Sequence, residues 1–366
     1  PTDISVLSDI ILKLLEKNPE DRYQSANGIL HDLVWFANQP VETWHAVSLR
    51  VGQHDQSSRF QIPEHLYGRN KEIERLIQMF MRTIEKHIPV ETLRATSLQV
   101  ALVSGHSGMG KTALIQEVQK PIAEYKGRFI SGKFDKFKKN IPYYALIYAF
   151  KNLIEQILAL DEEEIVKYKS EILEAVGNNG KILTDIIPEL ELIIGEQAPV
   201  IEISFAEAQN RLNLLFLNLL QVFCKEEHPL VLFLDDLQWA DNASLTLLKT
   251  ILTDTSLRHI FVILSYRSNE VDATHPLSLI LEEVKKTGLE MESIFINPLN
   301  QEDVNELVSD TLRTNHNTCK ELSEIIHSKT GGNPFFINSV FRSLYKEEMI
   351  YFHDSWKWDI QKVKGI

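Results

Sequence analysis

An α/β fold around a central parallel sheet is the class this sequence predicts, and three stretches predict it. The first is Gly105-His106-Ser107-Gly108-Met109-Gly110-Lys111-Thr112, set between an apolar run, Leu98 to Val103, and a helical run opening on Ala113-Leu114-Ile115. The second is Leu230-Val231-Leu232-Phe233-Leu234, apolar on both faces as a strand inside a sheet must be, which ends in Asp235-Asp236. The third is His259 to Ser265, another strand pattern, which ends in Tyr266-Arg267.

The chemistry of the first two stretches interlocks. In G-x-x-x-x-G-K-T between strand and helix, the glycines let the backbone fold so that main-chain N–H groups and a helix N-terminus face a phosphate. The loop residues Gly105, Ser107, Gly108, Met109 and Gly110, with Ala113 behind them, form the cradle; Lys111 reaches the β- and γ-phosphates and Thr112 holds Mg²⁺. A strand ending in acid brings Asp235 beside Thr112, where a carboxylate holds Mg²⁺ through water, and Asp236 is placed to polarise an attacking water. Asp235 follows Lys111 by 124 residues (235 − 111), and the pair makes a P-loop nucleoside triphosphatase the reading, with ATP and Mg²⁺ as ligands. Arg267 has two readings, a cation that senses the γ-phosphate and a strand-end salt bridge.

The whole chain sets bounds. Its 366 residues suggest two to three domains at roughly 100–200 residues each. A 44% apolar and 9% aromatic content supports packed cores rather than disorder, and a net charge of −13 argues against a nucleic-acid partner. The two cysteines, Cys224 and Cys319, lack metal-ligand spacing and read as small buried hydrophobes in a reducing compartment. With no apolar run of membrane-spanning length and no basic leader, the expectation is a cytoplasmic chain without membrane contact. Its start at Pro1 makes it, on this reading, a piece of something longer.

Residues 3–36 read as two amphipathic helices broken at Asn18-Pro19. The segment LLEKNPEDRYQSANGILHDL resembles the two helices that close the large lobe of eukaryotic-type protein kinases. That resemblance assigns 1–38 to a kinase-like tail, although the glutamate with which Arg22 would pair is absent and no kinase catalytic motif precedes it. Residues 39–62 are polar and read as a linker. Leu66-Tyr67-Gly68-Arg69 precedes a helix over Lys71–His87, with Ile73, Leu76, Ile77, Phe80 and Ile84 on one face. By itself Arg69 is a solvated cation after a turn. A second strand is expected over Gly127–Phe134 and a helix over Pro142–Leu160; the lysines between them, Lys133, Lys136, Lys138 and Lys139, read first as a solvated loop and second as a contact to nucleotide or a partner. Residues 161–205 read as an acidic helical insertion and 206–226 as an apolar helix, in which Arg211 is a surface ion pair or, less readily, a residue acting across an interface. Gly331-Gly332-Asn333-Pro334 interrupts two helices. Ile350-Tyr351-Phe352 and Trp356-Lys357-Trp358 make a hairpin pattern, the possible start of a winged helix whose charge is too balanced for a DNA surface.

Taken in order and spacing, Leu66-Tyr67-Gly68-Arg69, the phosphate loop, Asp235-Asp236-Leu237-Gln238-Trp239-Ala240-Asp241, Tyr266-Arg267 and Gly331-Gly332-Asn333-Pro334 resemble the signal-transduction ATPases with numerous domains, a branch of the AAA-like P-loop ATPases. Asn70 stands where that family usually has an acid. The resemblance implies a core over 63–297 with sheet order 5-1-4-3-2, a helical lid over 298–347 and the winged-helix start over 348–366. It also implies that Gly68, Arg69 and Pro334 flank the base and that Arg267 reads the γ-phosphate. More narrowly, a kinase tail leading into such an ATPase is similar to hybrid sensor kinases, in which GAF and histidine-kinase modules follow. The function expected is a slowly hydrolysing ATP/ADP switch with protein partners or self-association; the alternatives are a nucleotide-stabilised scaffold and kinase activity supplied from outside this stretch.

Overall fold

The computed structural model describes residues 5–17, 22, 23, 25–37, 60–84, 98–201, 204–353 and 355–365. Two units make up the chain: residues 69–297, and residues 298–366 together with 1–68. Most of the expected linker, the Asn18-Pro19 break and the end of the Lys71–His87 helix lie outside the described residues.

Two short helices open the chain, α1 (Ser5–Leu14) and α2 (Ala26–Ala37). Between them the Tyr23 hydroxyl donates to buried Asp32 at 2.5 Å, and Arg22 Nε donates to the Glu16 carbonyl at 2.6 Å.

The unit 69–297 begins with α3 (Asn70–Ile84), which buries Leu76, Met79 and Phe80, spaced by three and four residues as one helical face requires. There follow β1 (Leu98–Gly105), α4 (Lys111–Glu124), β2 (Arg128–Lys133), α5 (Tyr144–Leu158), α6 (Glu162–Val176), α7 (Gly180–Ile186), α8 (Glu191–Ile194) and α9 (Phe205–Phe223). Then come β3 (Leu230–Asp235), α10 (Asn242–Thr253), β4 (Ile260–Arg267), α11 (Pro276–Lys286) and β5 (Glu292–Phe295). The sheet is wholly parallel in the order β2-β3-β4-β1-β5, which is the expected 5-1-4-3-2 read from the other edge. All six residues of β3 are buried, as its unbroken apolar run requires of an interior strand. The inserted helices are not a loose appendage: Tyr168 and Ile172 of α6, Leu183 of α7 and Ile194 of α8 share one core with the sheet and with Phe216 and Phe223 of α9.

The last stretch carries α12 (Gln301–Leu312), α13 (His316–Thr330), α14 (Pro334–Lys346), the antiparallel hairpin β6 (Ile350–His353) and β7 (Ser355–Trp358), and α15 (Ile360–Lys364). Their core of Val304, Val308, Leu322, Ile326, Phe341 and Trp356 also takes Tyr67, and Phe60 stacks on Tyr345 at 4.5 Å. The turn from α13 to α14 has a specific cause. Gly332 is left-handed (φ +73) and so close to the Leu299 carbonyl that a Cβ would lie 2.1 Å from its oxygen, while Leu299 N–H donates to the Gly332 carbonyl at 2.8 Å. Asn333 then caps α14 through the Phe335 N–H at 3.0 Å, with Pro334 in the first turn, where its missing N–H costs nothing.

Candidate functional site

Parallel register gathers the site at the carboxyl ends of four strands. Lys133 of β2 stands opposite Asp235 of β3, and Arg267 of β4 stands opposite Gly105 of β1. Gly108 and Gly110 are left-handed (φ 80 and 86), a conformation a side chain at either position would oppose, and they turn the loop into the start of α4. Ser107 and Thr112 are exposed on this loop, Met109 is buried beneath it and Ala113 is half-buried. Lys111 Nζ donates to the carbonyls of Gly105 at 2.9 Å and His106 at 2.8 Å. Burial lowers the pKa of the Lys111 ammonium, against the opposing pull of Asp235 and Asp236.

The acid pair is densely bonded. Thr112 Oγ1 donates to Asp235 Oδ2 at 2.9 Å, so the two oxygens expected to hold Mg²⁺ are already neighbours. Lys133 Nζ lies 3.3 Å from that same oxygen and 3.2 Å from Asp236 Oδ2. Asp236 Oδ1 accepts from Gln238 Nε2 at 2.8 Å and Arg267 Nε at 3.3 Å. Burial would raise the Asp236 pKa, but Gln238, Lys133 and Arg267 outweigh it and hold the carboxyl below its ordinary value. For Lys133 the balance likewise opposes burial: Asp235 and Asp236 raise its pKa. Arg267 is held on three further sides, by Glu270 at 2.9 Å, by the Gln238 side-chain oxygen on its backbone N–H at 3.1 Å, and by the Trp239 ring, 4.5 Å from the guanidinium. The salt-bridge reading of Arg267 therefore describes its bonds here, and those bonds tie it to Asp236.

These residues form an oxygen-rich site suited to a hard cation. Among the described residues no cluster of three His, Cys, Asp or Glu side chains could hold a metal alone. Two hydroxyls near the strand ends, Ser265 Oγ and Ser268 Oγ, are buried without a hydrogen-bond partner. Ser265 would register beside Asp235, one step beyond the Leu234–Leu264 pair, and the Ser268 N–H donates to the Gly105 carbonyl at 3.4 Å.

The other expected residues fall outside this cluster. Arg69 is not a solvated cation: it is buried, donating to the Asn297 carbonyl at 2.6 Å and lying 3.9 Å from Glu72. Gly68 belongs with the residues of the other unit, where a Cβ would strike the Asp303 carboxylate at 2.3 Å, and Pro334 opens α14 in that unit. Lys133 was legible only as part of a basic loop; its role beside Asp235 depends on strand register, which the local sequence does not encode. Of its neighbours, Lys136 and Lys138 lie in a short 3₁₀ turn, with Lys138 Nζ 2.5 Å from the Tyr144 hydroxyl.

Residues 65–263, more than half of the chain, match the family described as AAA ATPase domain. Over 98% of its length the chain is 30% identical to hybrid signal transduction histidine kinase G of Dictyostelium discoideum, of which it covers 12%. It is 25% identical to histidine protein kinase 1 of Candida albicans over 93% of the chain and 16% of that protein, and 21% identical to the peroxide stress-activated histidine kinase mak3 of Schizosaccharomyces pombe over 96% and 18%. The chain thus spans less than a fifth of each of these relatives. A solved structure of Cdc6p from Pyrobaculum aerophilum aligns with a TM-score of 0.44 at 14% identity, covering 79% of this chain and 64% of that one. With the phosphate loop and the acid-tipped strand β3 both inside the matched span, this chain belongs to the AAA ATPase domain family.

Proposed function

We propose that the chain is an ATP-binding, slowly hydrolysing switch of the kind found in signal-transduction ATPases with numerous domains, acting inside a hybrid sensor kinase. One observation carries the reading. Thr112, Asp235, Lys133, Asp236, Gln238 and Arg267 form one continuous hydrogen-bonded chain from the phosphate loop to the tip of β4, so a ligand that moves Thr112 disturbs Arg267. ATP is the substrate. Its phosphates would take over the Lys111 ammonium from the Gly105 and His106 carbonyls, and Thr112 with Asp235 would hold Mg²⁺, whose contribution is to neutralise charge on the phosphate oxygens. Asp236 would position the attacking water, and Arg267 would exchange its bond to Asp236 for one to the γ-phosphate. Within the same unit as the phosphate loop, Arg69 remains assigned to the base. The similarity to hybrid histidine kinases supports a signalling role; GAF, kinase-like and histidine-kinase modules around this domain, and a cytoplasmic setting, are part of this proposal.

Asp236 has three partners in the structure, and that favours a second reading, a nucleotide-held scaffold in which the acid never becomes a base. Phosphate release from ATP by the purified chain, measured against Lys111→Ala and Asp236→Asn, separates the two. The switch requires turnover above the Lys111→Ala background and its loss in Asp236→Asn. ATP binding with no turnover in the unaltered chain would leave the scaffold.

A further inference from the structure

A cavity of about 500 Å³ opens in the nucleotide unit away from the phosphate loop, and none of its lining residues belongs to the site above. Pro142, Ile182, Ile201 and Leu212 make its walls apolar. Ile201 is 84% exposed, so this wall is open to solvent. Size and lining both fall in the range of sites for drug-sized molecules, roughly 300–1,000 Å³ of mostly apolar wall with a few polar groups that fix orientation.

The polar groups decide what kind of molecule fits. Tyr143 is satisfied within the protein: its hydroxyl lies 3.2 Å from Asn213 Oδ1, Gln209 bonds it, and burial raises its pKa. Tyr143 also holds a left-handed backbone (φ 62), a strain that a bulky residue adopts only where its surroundings fix it. Arg211 is different. Its guanidinium carries five N–H donors, yet its one hydrogen bond among the described residues is to the Ile201 carbonyl at 3.4 Å. Glu207, one turn before it and within reach of its charge, is committed to capping α9 through the Ser204 N–H at 3.2 Å and hydroxyl at 2.6 Å. The cavity therefore has mostly apolar walls and, besides Gln209 and the satisfied Tyr143, one polar group in its lining that is a cation with donors to spare.

We propose that this cavity is a second ligand site, distinct from the nucleotide site, and that it takes a small amphipathic anion: a carboxylate on an apolar body, with the carboxylate on Arg211 and the body against Ile182, Ile201 and Leu212. A planar guanidinium matches a carboxylate in two parallel bonds, which explains an arginine at this place better than a lysine would.

Calorimetric titration of the 366-residue chain with decanoate, with decanol as the neutral comparison, tests the assignment. Decanoate is expected to bind at one site, at least tenfold more tightly than decanol, and to weaken about fourfold per methylene on shortening toward octanoate. Arg211→Gln should bring decanoate down to the affinity of decanol. Ala208→Phe, at an exposed point of the rim, should block both ligands while ATP binding, the check on folding, stays unchanged. Equal affinity for decanoate and decanol, an Arg211→Gln variant that binds decanoate as the unaltered chain does, or no saturable binding at all would each overturn the proposal.

Discussion

Lys133 shows how much a single side chain can hold. Its ammonium is the cation closest to two carboxylates that share one strand end, so Lys133→Met leaves Asp235 and Asp236 with Arg267 and the more distant Lys111 to offset them. The expected cost, about 1 kcal/mol, is a fall in Tm of ~2–4 °C for a unit of this size, read by differential scanning calorimetry without nucleotide. The pH dependence has a fixed sign. Asp236 is held below its ordinary pKa, so its contribution is present above about pH 4 and is lost as pH falls through the folded value; Lys133 is held above its ordinary pKa, so its contribution is lost as pH rises past about 10.5. The difference between Lys133→Met and the unaltered chain should be a plateau between those limits. Arg267→Ala should act differently, narrowing any preference for ATP over ADP in equilibrium binding if the arginine reads the γ-phosphate. Position 236 has its own constraint: its backbone is left-handed (φ 55), a conformation that aspartate and asparagine tolerate better than most residues. Backbone geometry thus accounts for an aspartate at a place where a longer acid would extend the reach of a base, and it makes Asp236→Asn a change of charge with little change of strain.

At the scale of elements, the loops and strands that carry short-range signals were legible and their neighbours were not. The apolar run of β3 and the glycine spacing before α4 declare themselves within a dozen residues, and Thr112 comes to lie 2.9 Å from Asp235 as those two motifs imply. Lys133 and Arg69 could not be read in the same way, because a lysine in a basic run and an arginine after a turn look solvated until a distant strand or carbonyl is placed beside them. The insertion illustrates the same limit, since an acidic composition hid the buried face that Tyr168, Ile172, Leu183 and Ile194 give to the sheet. The turn before α14 was legible as a break but not as a close contact. Gly332→Ala puts a methyl group 2.1 Å from the Leu299 oxygen at a left-handed position, and should destabilise the C-terminal helices by ~1–3 kcal/mol or more in urea unfolding followed through tryptophan fluorescence. Asn333→Ala, which loses only the cap on α14, should cost about 1 kcal/mol in the same measurement.

For the molecule as a whole, ligand binding supplies the broadest check. ATP with Mg²⁺ at a hundred times its Kd adds about 2.7 kcal/mol to the stability of the unit that binds it, a rise in Tm of roughly 5–10 °C, and Lys111→Ala should abolish that rise. The described helices include none long and apolar enough to cross a membrane. The path of the chain has a consequence of another kind. It passes into the nucleotide unit at Gly68–Arg69 and out again at Asn297–Pro298, and the Arg69 guanidinium donates to the Asn297 carbonyl at 2.6 Å, so the first and last residues of that unit are fastened together. In sequence, then, one domain is nested inside another rather than strung before it. A fragment cut at residue 297 would strip the C-terminal helices from Phe60 and Tyr67, whereas excising 69–297 and joining the two cut ends directly would keep those partners on one chain.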